Sequence, residues 1–119
     1  MHVLPNGKGD ILSISDLVQR AHNTAIEKGW WETDRGIPEQ LALIHSEVSE
    51  ALEAYRDALP LEHGTDEKGK PIGFASELAD ILIRVGDLAG RHQIDLEQAV
   101  FDKLEYNKLR PYRHGGKVC

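Results

Sequence analysis

The sequence predicts an all-α protein. Four stretches carry apolar residues at alternating three- and four-residue intervals, the spacing of one face of an α-helix. Residues that favour helix ends bound these stretches: Ser15, Pro38 and Asp95 before helices, and Gly29 after one. Nowhere do β-branched residues alternate with polar ones over a useful length, so we expect no strand. We therefore predict a four-helix bundle in a single domain covering residues 1–119.

The first two helices have clear boundary signals. Ser15 followed by Asp16 is a good N-cap, and Gly29 is expected to end the first helix just before two adjacent tryptophans. The second helix begins near Pro38, because proline suits the first helical turn, and stops before Pro60. Its apolar residues form a stripe that we expect to be buried, consisting of Leu41, Ile44, Val48, Leu52, Tyr55 and Leu59.

Two further helices follow a long connection. Residues 60–73 mix proline, glycine, lysine and acids without periodicity, which predicts an unstructured loop able to act as a lid. The third helix spans about residues 74–92, and the fourth starts at Asp95 with a capping-box-like sequence and ends ahead of Pro111. The third helix also has a stripe expected to be buried, formed by Leu78, Ile81, Leu82, Val85, Leu88 and Ala89.

Composition narrows the classes of function. The net charge of −6 argues against a polynucleotide partner, since binding a phosphate backbone requires a basic face. No apolar run is long enough to span a bilayer, and the first residues lack the features of a signal peptide, so we expect a cytoplasmic protein with no membrane partner. The single cysteine, Cys119, allows no internal disulfide. The two ends, about residues 1–12 and 114–119, are expected to be flexible.

Four carboxylates occupy matching positions on the second and third helices, namely Glu47, Glu50, Glu77 and Asp80. Each pair begins ~80–90° from the centre of its helix's apolar stripe, so antiparallel packing would bring the acids to one edge. Glu-x-x-Glu is also common on solvated helix surfaces, and one such motif alone would carry little weight. Two motifs at equal offsets favour a hard divalent cation, Mg²⁺ or Mn²⁺, because converging carboxylates repel one another unless they are protonated or bound to a cation.

Two other groups of residues suggest ligand contacts. Adjacent indoles at Trp30 and Trp31 cannot share one face, so one is expected in the core while the other could stack on a ring. On the fourth helix Lys103 and Asn107 share a face and are followed by Arg110. Cationic side chains beside a metal site suggest phosphate binding, although they equally suit the negative C-terminal end of a helix.

Two neighbouring residues of the third helix bear on its surface. Arg84 lies four residues after Asp80, which predicts a helix-surface ion pair. Ile83 points ~140° away from the apolar stripe and would face water in a monomer. An outward isoleucine favours oligomerisation.

The chain resembles a known family at these residues. Over about residues 17–117 it is similar to the all-α nucleoside triphosphate pyrophosphatases of the MazG type, a superfamily that includes dCTP pyrophosphatases, dimeric dUTPases and phosphoribosyl-ATP pyrophosphatases. The hallmark of that family, Glu-x-x-Glu followed by Glu-x-x-Asp, matches Glu47, Glu50, Glu77 and Asp80. Segments 27–31, 94–100 and 103–112 also look like those of single-domain members.

The resemblance implies an activity. Members hydrolyse a nucleoside triphosphate between its α- and β-phosphates, giving the monophosphate and pyrophosphate with Mg²⁺, and so remove particular nucleotides from the pool. The four acids would hold the metal and form the catalytic centre. Trp31 and His22 would face the base, and Lys103, Asn107 and Arg110 would reach phosphates or sugar. The resemblance further implies a homodimer or homotetramer whose pockets form between subunits.

The chain departs from the family pattern at two places. Arg84 stands where some dCTP-preferring relatives have an aromatic residue, so their base preference does not transfer. Ile44-His45-Ser46 precedes Glu47, whereas the phosphoribosyl-ATP branch usually has a lysine there, which makes that branch the less favoured alternative. The other alternative is a non-catalytic helical module that binds a nucleotide or a protein partner. The motifs assign neither the general base nor the base and sugar specificity.

Overall fold

The structure, a computed structural model, describes residues 11–58, 61 and 64–112. It contains four helices, α1 (Ile14–Glu27), α2 (Ile37–Arg56), α3 (Phe74–Arg91) and α4 (Leu96–Lys108), and a short hairpin, β1 (Gly64–Thr65) with β2 (Pro71–Ile72). The predicted all-α class is confirmed for this part of the chain. No helix within it is long and apolar enough to cross a membrane. The ends predicted to be flexible lie outside the described residues, apart from the positions next to α1.

Helix α1 begins two residues earlier than predicted. Ser13, not Ser15, is its N-cap: the Ser13 hydroxyl accepts from the Asp16 amide at 3.0 Å, and the Asp16 carboxylate accepts from the Ser13 amide at 3.2 Å. This capping box satisfies two amides that have no partner within the helix. Asp16, at the third position of the helix, therefore selects Ser13 as the cap, because only Ser13 forms a capping box with it.

Gly29 ends α1, as predicted. It adopts φ +78°, a left-handed conformation that glycine enters at little cost. The Gly29 amide donates to the Ile26 carbonyl at 3.1 Å, and the Trp30 amide donates to the Ala25 carbonyl at 3.0 Å. These two hydrogen bonds form a Schellman motif, which reverses the chain and sends the two tryptophans in different directions.

The boundaries of the other helices agree with prediction. Pro38 lies in the first turn of α2, and α2 ends at Arg56, ahead of Pro60. Helix α3 ends one residue short of the predicted His92. Asp95 caps α4 by accepting from the Gln98 amide at 3.0 Å.

The connection between α2 and α3 was predicted to lack structure, and this prediction is wrong for residues 64–72. Strands β1 and β2 pair there in antiparallel register, with Gly64 opposite Ile72. The Asp66 carboxylate accepts from the amides of Lys68 and Lys70 at 2.8 and 3.0 Å, and Gly69 takes φ +81°. This side-chain-to-backbone turn needs no apolar periodicity, so the periodicity criterion missed it. Residues 59–60 and 62–63 lie outside the described part.

Small residues bring α1 and α3 together. A Cβ on Gly86 would lie 3.4 Å from the Cβ of Ala21, and one on Gly90 would lie only 2.6 Å from the Cβ of His22. Ala25 is fully buried at the same crossing. The helix backbones approach closely because these positions have little or no side chain.

The two large apolar stripes form only part of the core of the chain. Ala89 is buried as predicted, and Ile44, Ile81, Val85 and Leu88 are half-buried. Helix α2 instead buries Gln40, Ala51 and Ala54. Stripe residues that were expected to be buried remain exposed, namely Leu41, Val48, Leu52 and Tyr55 on α2 and Leu78 and Leu82 on α3. Leu59 lies outside the described residues. The error has a physical cause: small residues set the helix contacts within one chain and leave the bulky stripes facing outward.

Helix α4 is the least integrated of the four. It contacts α1, where the Ser15 amide donates to the Glu97 carboxylate at 3.1 Å, but it has no buried residue. Phe101 and Leu104 are more than half exposed. Ile83 on α3 is also exposed, as its angle predicted.

Candidate active site

Three of the four predicted acids converge between α2 and α3. Glu47, Glu77 and Asp80 each offer a carboxylate oxygen within 4.8 Å of the others. Glu77 and Asp80 are three residues apart and so share one face of α3. Glu47 and Glu77 are half-buried, whereas Asp80 is exposed, so the cluster lies at the surface and is open to a ligand.

The helices that carry these acids run antiparallel, as predicted. Near the start of α2, Gln40 shares a cavity with Asp87 of α3. Further along α2, Glu50 acts electrostatically on Glu77, which is near the start of α3. Residue numbers therefore rise along α2 as they fall along α3, and the acidic motifs meet.

Burial and mutual repulsion raise the pKa of two of these acids. Burial raises the pKa of Glu77, and the charges of Asp80, Glu50 and Glu47 raise it further. Burial, followed by the charge of Glu47, raises the pKa of Asp80. The lysine of the hairpin, Lys70, acts in the opposite direction on both pKa values. The cluster thus holds more negative charge than its surroundings neutralise.

Glu50 is close to the cluster but not part of it. It is exposed and lines the same cavity of about 300 Å³ as the three converging acids. The cavity has a second wall formed by the hairpin and the start of α3, made of Lys70, Pro71, Ile72, Gly73 and Ser76. The segment that was predicted as a loop therefore helps to shape the site.

Arg84 pairs with Glu47, not with Asp80 as its spacing predicted. Its Nε donates to Glu47 Oε1 at 2.9 Å, across the two helices. The stronger contact is interhelical because the antiparallel packing places Glu47 opposite Arg84. Within the described part of the chain, neither Glu77 nor Asp80 has an ion-pair partner within 4.0 Å.

A cleft leads from the acids to the two tryptophans. A small cavity of about 160 Å³ is lined by Glu47, Asp80, Ile83, Arg84 and Trp30. It shares Glu47 and Asp80 with the acidic cavity. It shares Trp30 and Arg84 with a third cavity, of about 270 Å³, lined by Trp30, Trp31, Arg35, Gln40, Arg84 and Asp87. The three cavities therefore adjoin one another through these common residues, and together they are called the cleft below.

The two tryptophans have different surroundings. Trp31 is only 8% exposed, and its indole N–H donates to both carboxylate oxygens of Asp87 at 2.9 and 3.1 Å. The Arg91 guanidinium lies 4.5 Å from the centre of its ring. Trp30 is 46% exposed and faces the cleft. The predicted division into one core and one surface indole is therefore observed, and the accessible ring is that of Trp30.

His22 belongs to the buried network around Asp87. Its Nδ1 donates to Asp87 Oδ1 at 2.8 Å, and its ring packs edge-on to Trp31 with ring centres 6.1 Å apart. Asp87 thus receives hydrogen bonds from both side chains that were expected to face a base. Of the two, Trp31 lines the cleft.

The predicted phosphate-binding residues of α4 are not brought to the acids. Lys103, Asn107 and Arg110 are exposed, and none lines the three cavities of the cleft. The Lys103 ammonium lies 5.8 Å from the ring centre of Tyr106 on its own helix. Among the described residues, the cations that line the cleft are Lys70, Arg84 and Arg35, and the sequence predicted phosphate binding for none of them.

Gln40 and Asp87 are polar residues of the cleft that the sequence analysis did not single out. The sequence around Asp87 could have indicated its importance, because Asp87 lies between Gly86 and Gly90, the small residues of α3 that pack against α1. Gln40 has no such signal, because one glutamine in the first turn of a helix is ordinary.

No protein-family model matches the chain, and neither a curated protein nor a solved structure matches it.

Proposed function

We propose that this protein is a Mg²⁺-dependent nucleoside triphosphate pyrophosphohydrolase of the MazG-like type. The observation that carries the proposal is the acidic cluster at one end of a cleft whose other end presents the exposed indole of Trp30. A nucleotide needs these two features, a cation for its phosphates and an aromatic surface for its base. Their arrangement along one cleft supports a ligand that carries both.

The residues of the cluster fit a hard divalent cation. All three donors are carboxylate oxygens, the ligand type that Mg²⁺ and Mn²⁺ prefer, and the raised pKa values of Glu77 and Asp80 mean that a cation there would relieve repulsion. Glu47, Glu77 and Asp80 would hold the ion. When bound, it would neutralise phosphate charge and favour attack by water on phosphorus.

The remaining side chains of the cavity have complementary roles. Lys70 extends from the hairpin and would bind phosphate oxygens as a point charge. Glu50 lines the cavity but lies outside the three-oxygen cluster, so it is the carboxylate left to accept a proton from the attacking water. Water adds at the α-phosphorus, the bond to the bridging oxygen breaks, and pyrophosphate leaves.

Measuring pyrophosphate release tests the proposal. A panel of canonical and modified nucleoside triphosphates, with phosphoribosyl-ATP, is incubated with Mg²⁺ or with chelator. We expect metal-dependent release together with the matching monophosphate. Asp80→Asn and Glu77→Gln should lower turnover ~100-fold or more, because each removes a carboxylate that would hold the cation. Glu39→Gln, an exposed acid of α2 that does not line the acidic cavity, is the matched control. Normal turnover in both cluster variants would rule out this site.

We propose further that the working form is a homodimer or homotetramer. In support, the large apolar residues of α2 and α3 described above are about half exposed, and α4 buries no residue. A small chain that leaves so much apolar surface in water is typical of a subunit. Leu52→Glu should shift the mass measured by light scattering towards the monomer, whereas Glu53→Gln on the same helix should not. A native chain that is monomeric at all concentrations would contradict the proposal.

A binding module is the second candidate function. The ion pair between Arg84 and Glu47 favours it, because the arginine already neutralises one of the three carboxylates. In that case nucleotide would bind without turnover. Calorimetry with a nucleoside triphosphate under the conditions of the release assay separates the two functions, since only the module gives binding with intact ligand recovered.

A further inference from the structure

Gln40 is a buried polar residue whose side-chain amide has no hydrogen-bond partner in the described part of the chain. It lies in the first turn of α2 and is 5% exposed. Its side-chain amide makes no hydrogen bond to any residue that the structure describes, although none of its polar atoms is wholly sealed from solvent. Burying an amide without a partner is unfavourable, so the amide of Gln40 would gain from a hydrogen-bonding ligand. Gln40 is one of the residues that line the cavity beside the two tryptophans.

The charged side chains of that cavity already have partners. The Asp87 carboxylate accepts from His22 and Trp31, and the Arg84 guanidinium pairs with Glu47. Arg35 donates to the Trp30 carbonyl at 2.9 Å and lies 3.6 Å from the Glu39 carboxylate. Among the residues that line this cavity, Gln40 is therefore the one whose side chain offers both a donor and an acceptor without a partner in the described part of the chain. Its amide offers an N–H donor beside a carbonyl acceptor.

The shape of the cavity limits what can use this amide. Its volume is about 270 Å³, and the indole of Trp30 forms one exposed wall. An indole stacks on a flat ring. A ring lying on Trp30 with a donor next to an acceptor on its edge would satisfy both groups of Gln40 at once. Adenine, cytosine, guanine and uracil all have such an edge, but the order of donor and acceptor along it differs between them, so one orientation of the amide favours some bases over others. A sugar phosphate without a base has no such edge.

We propose that Gln40 is a specificity-determining residue that reads the hydrogen-bonding edge of a nucleobase stacked on Trp30. The choice of a nucleobase rests on the proposed function, because the acids further along the cleft would take the phosphates. Recognition by Gln40 is nevertheless separate from hydrolysis. Gln40 lines the tryptophan end of the cleft, and the acidic cavity has a different set of walls. Base recognition should therefore persist in chelator, where hydrolysis stops.

The test measures binding of AMP, CMP, GMP, UMP and ribose 5-phosphate to the full chain in chelator, by calorimetry. We expect the native protein to bind at least one nucleoside monophosphate about tenfold more tightly than ribose 5-phosphate and to discriminate among the bases. Gln40→Met keeps the length of the side chain and removes the amide. It should lose about tenfold in affinity for the preferred base and most of the discrimination, while its affinity for ribose 5-phosphate stays unchanged.

Two further variants make the outcome decisive. Gln40→Glu keeps an acceptor and loses the donor, so it should change which base is preferred. Glu53→Gln, at an exposed position of α2 outside the three cavities, should leave the base preference in chelator unchanged. Circular dichroism and thermal melting of each variant establish that it is folded. Native-like discrimination in folded Gln40→Met, or equal affinity of the native chain for all five probes, would overturn the inference.

The same variants separate this inference from the proposed function. Base-selective binding that depends on Gln40, without pyrophosphate release from any triphosphate, would support the inference and reject the hydrolase. Metal-dependent hydrolysis with the same base preference in native and Gln40→Met protein would support the hydrolase and reject the role of Gln40.

Discussion

Asp80 and Asp87 lie about two turns apart on α3 and illustrate two uses of a carboxylate. Asp87 is buried, and its oxygens accept hydrogen bonds from His22 and from the Trp31 indole. Asp80 is exposed, sits among other acids, and has no ion-pair partner within 4.0 Å in the described part of the chain. The protein itself satisfies the first carboxylate and leaves the second to solvent or a ligand.

This difference distinguishes an acid with a structural role from an acid that is available to a ligand. A buried, fully bonded carboxylate holds other side chains in place, and its loss leaves their N–H groups unpaired. An acid crowded by like charges destabilises the fold and is retained where a ligand uses it. The free energy of unfolding should therefore fall far more when the buried acid is removed than when the exposed acid is removed.

The largest expected effect is at the buried end. Asp87→Ala leaves the Trp31 indole N–H and His22 Nδ1 without their acceptor, and should lower the free energy of unfolding by about 2–5 kcal/mol. Asp80→Ala, measured in chelator, should change the free energy of unfolding by less than about 0.5 kcal/mol, because the substitution removes an exposed acid that has no ion-pair partner in the described part of the chain. Urea denaturation of both variants makes the comparison. Equal losses would mean that the two acids have the same structural role.

A smaller effect is expected at the crossing of α1 and α3. In Gly90→Ala the new Cβ would lie 2.6 Å from the Cβ of His22, so the helices must move apart, at a cost of about 1–3 kcal/mol. In Gly86→Ala the nearest atom would be at 3.4 Å, and the gain in helix propensity of about 1 kcal/mol offsets the tighter contact. Thermal melting should show a lower Tm for Gly90→Ala alone. A Tm equal to native in both variants would contradict the close approach.

This crossing also explains why sequence predicted the helices better than their packing. Capping residues and proline act locally, so Gly29, Pro38 and Asp95 marked helix ends correctly. Packing depends on which faces meet, and the hydrophobic pattern favoured the bulky stripes over the small residues. Glycines four apart on α3 gave no hydrophobic signal, yet they fix where α1 lies and leave Leu78 and Leu82 exposed.

The sequence likewise predicted only part of the candidate site, the acids on the two helices. Helical periodicity alone places Glu77 beside Asp80, and antiparallel packing adds Glu47. Lys70 could not be placed, because a turn held by the Asp66 side chain brings it to the acids. The polar character of the tryptophan cavity was hidden as well, since it arises from residues far apart in the chain, Gln40 and Asp87.

The smallest expected effect concerns pH at the open end of the cleft. The folded state raises the pKa of Glu77 above its ordinary value, through burial and the charges of its neighbours, so the folded chain binds a proton more readily than the unfolded chain. By linkage, this group makes stability fall as pH rises through the raised pKa, and the loss is absent below the ordinary pKa of a glutamate. Glu77→Gln cannot lose this proton. In chelator, its stability relative to native should therefore increase as pH is raised from about 4 to 7, and the increase should be small because the site is open to solvent.

Adding Mg²⁺ should reverse that ranking near neutral pH. A cation held by the carboxylates of Glu47, Glu77 and Asp80 stabilises the folded native chain in proportion to its binding, and it binds the glutamine variant less tightly. Melting curves of both proteins across this pH range, with chelator and with Mg²⁺, give the four profiles needed. If the difference between native and variant is flat with pH and unchanged by Mg²⁺, repulsion among these acids does not matter to the fold. The acid that lacks a partner would then be no more than an ordinary surface residue, and the contrast between Asp80 and Asp87 would be one of burial alone.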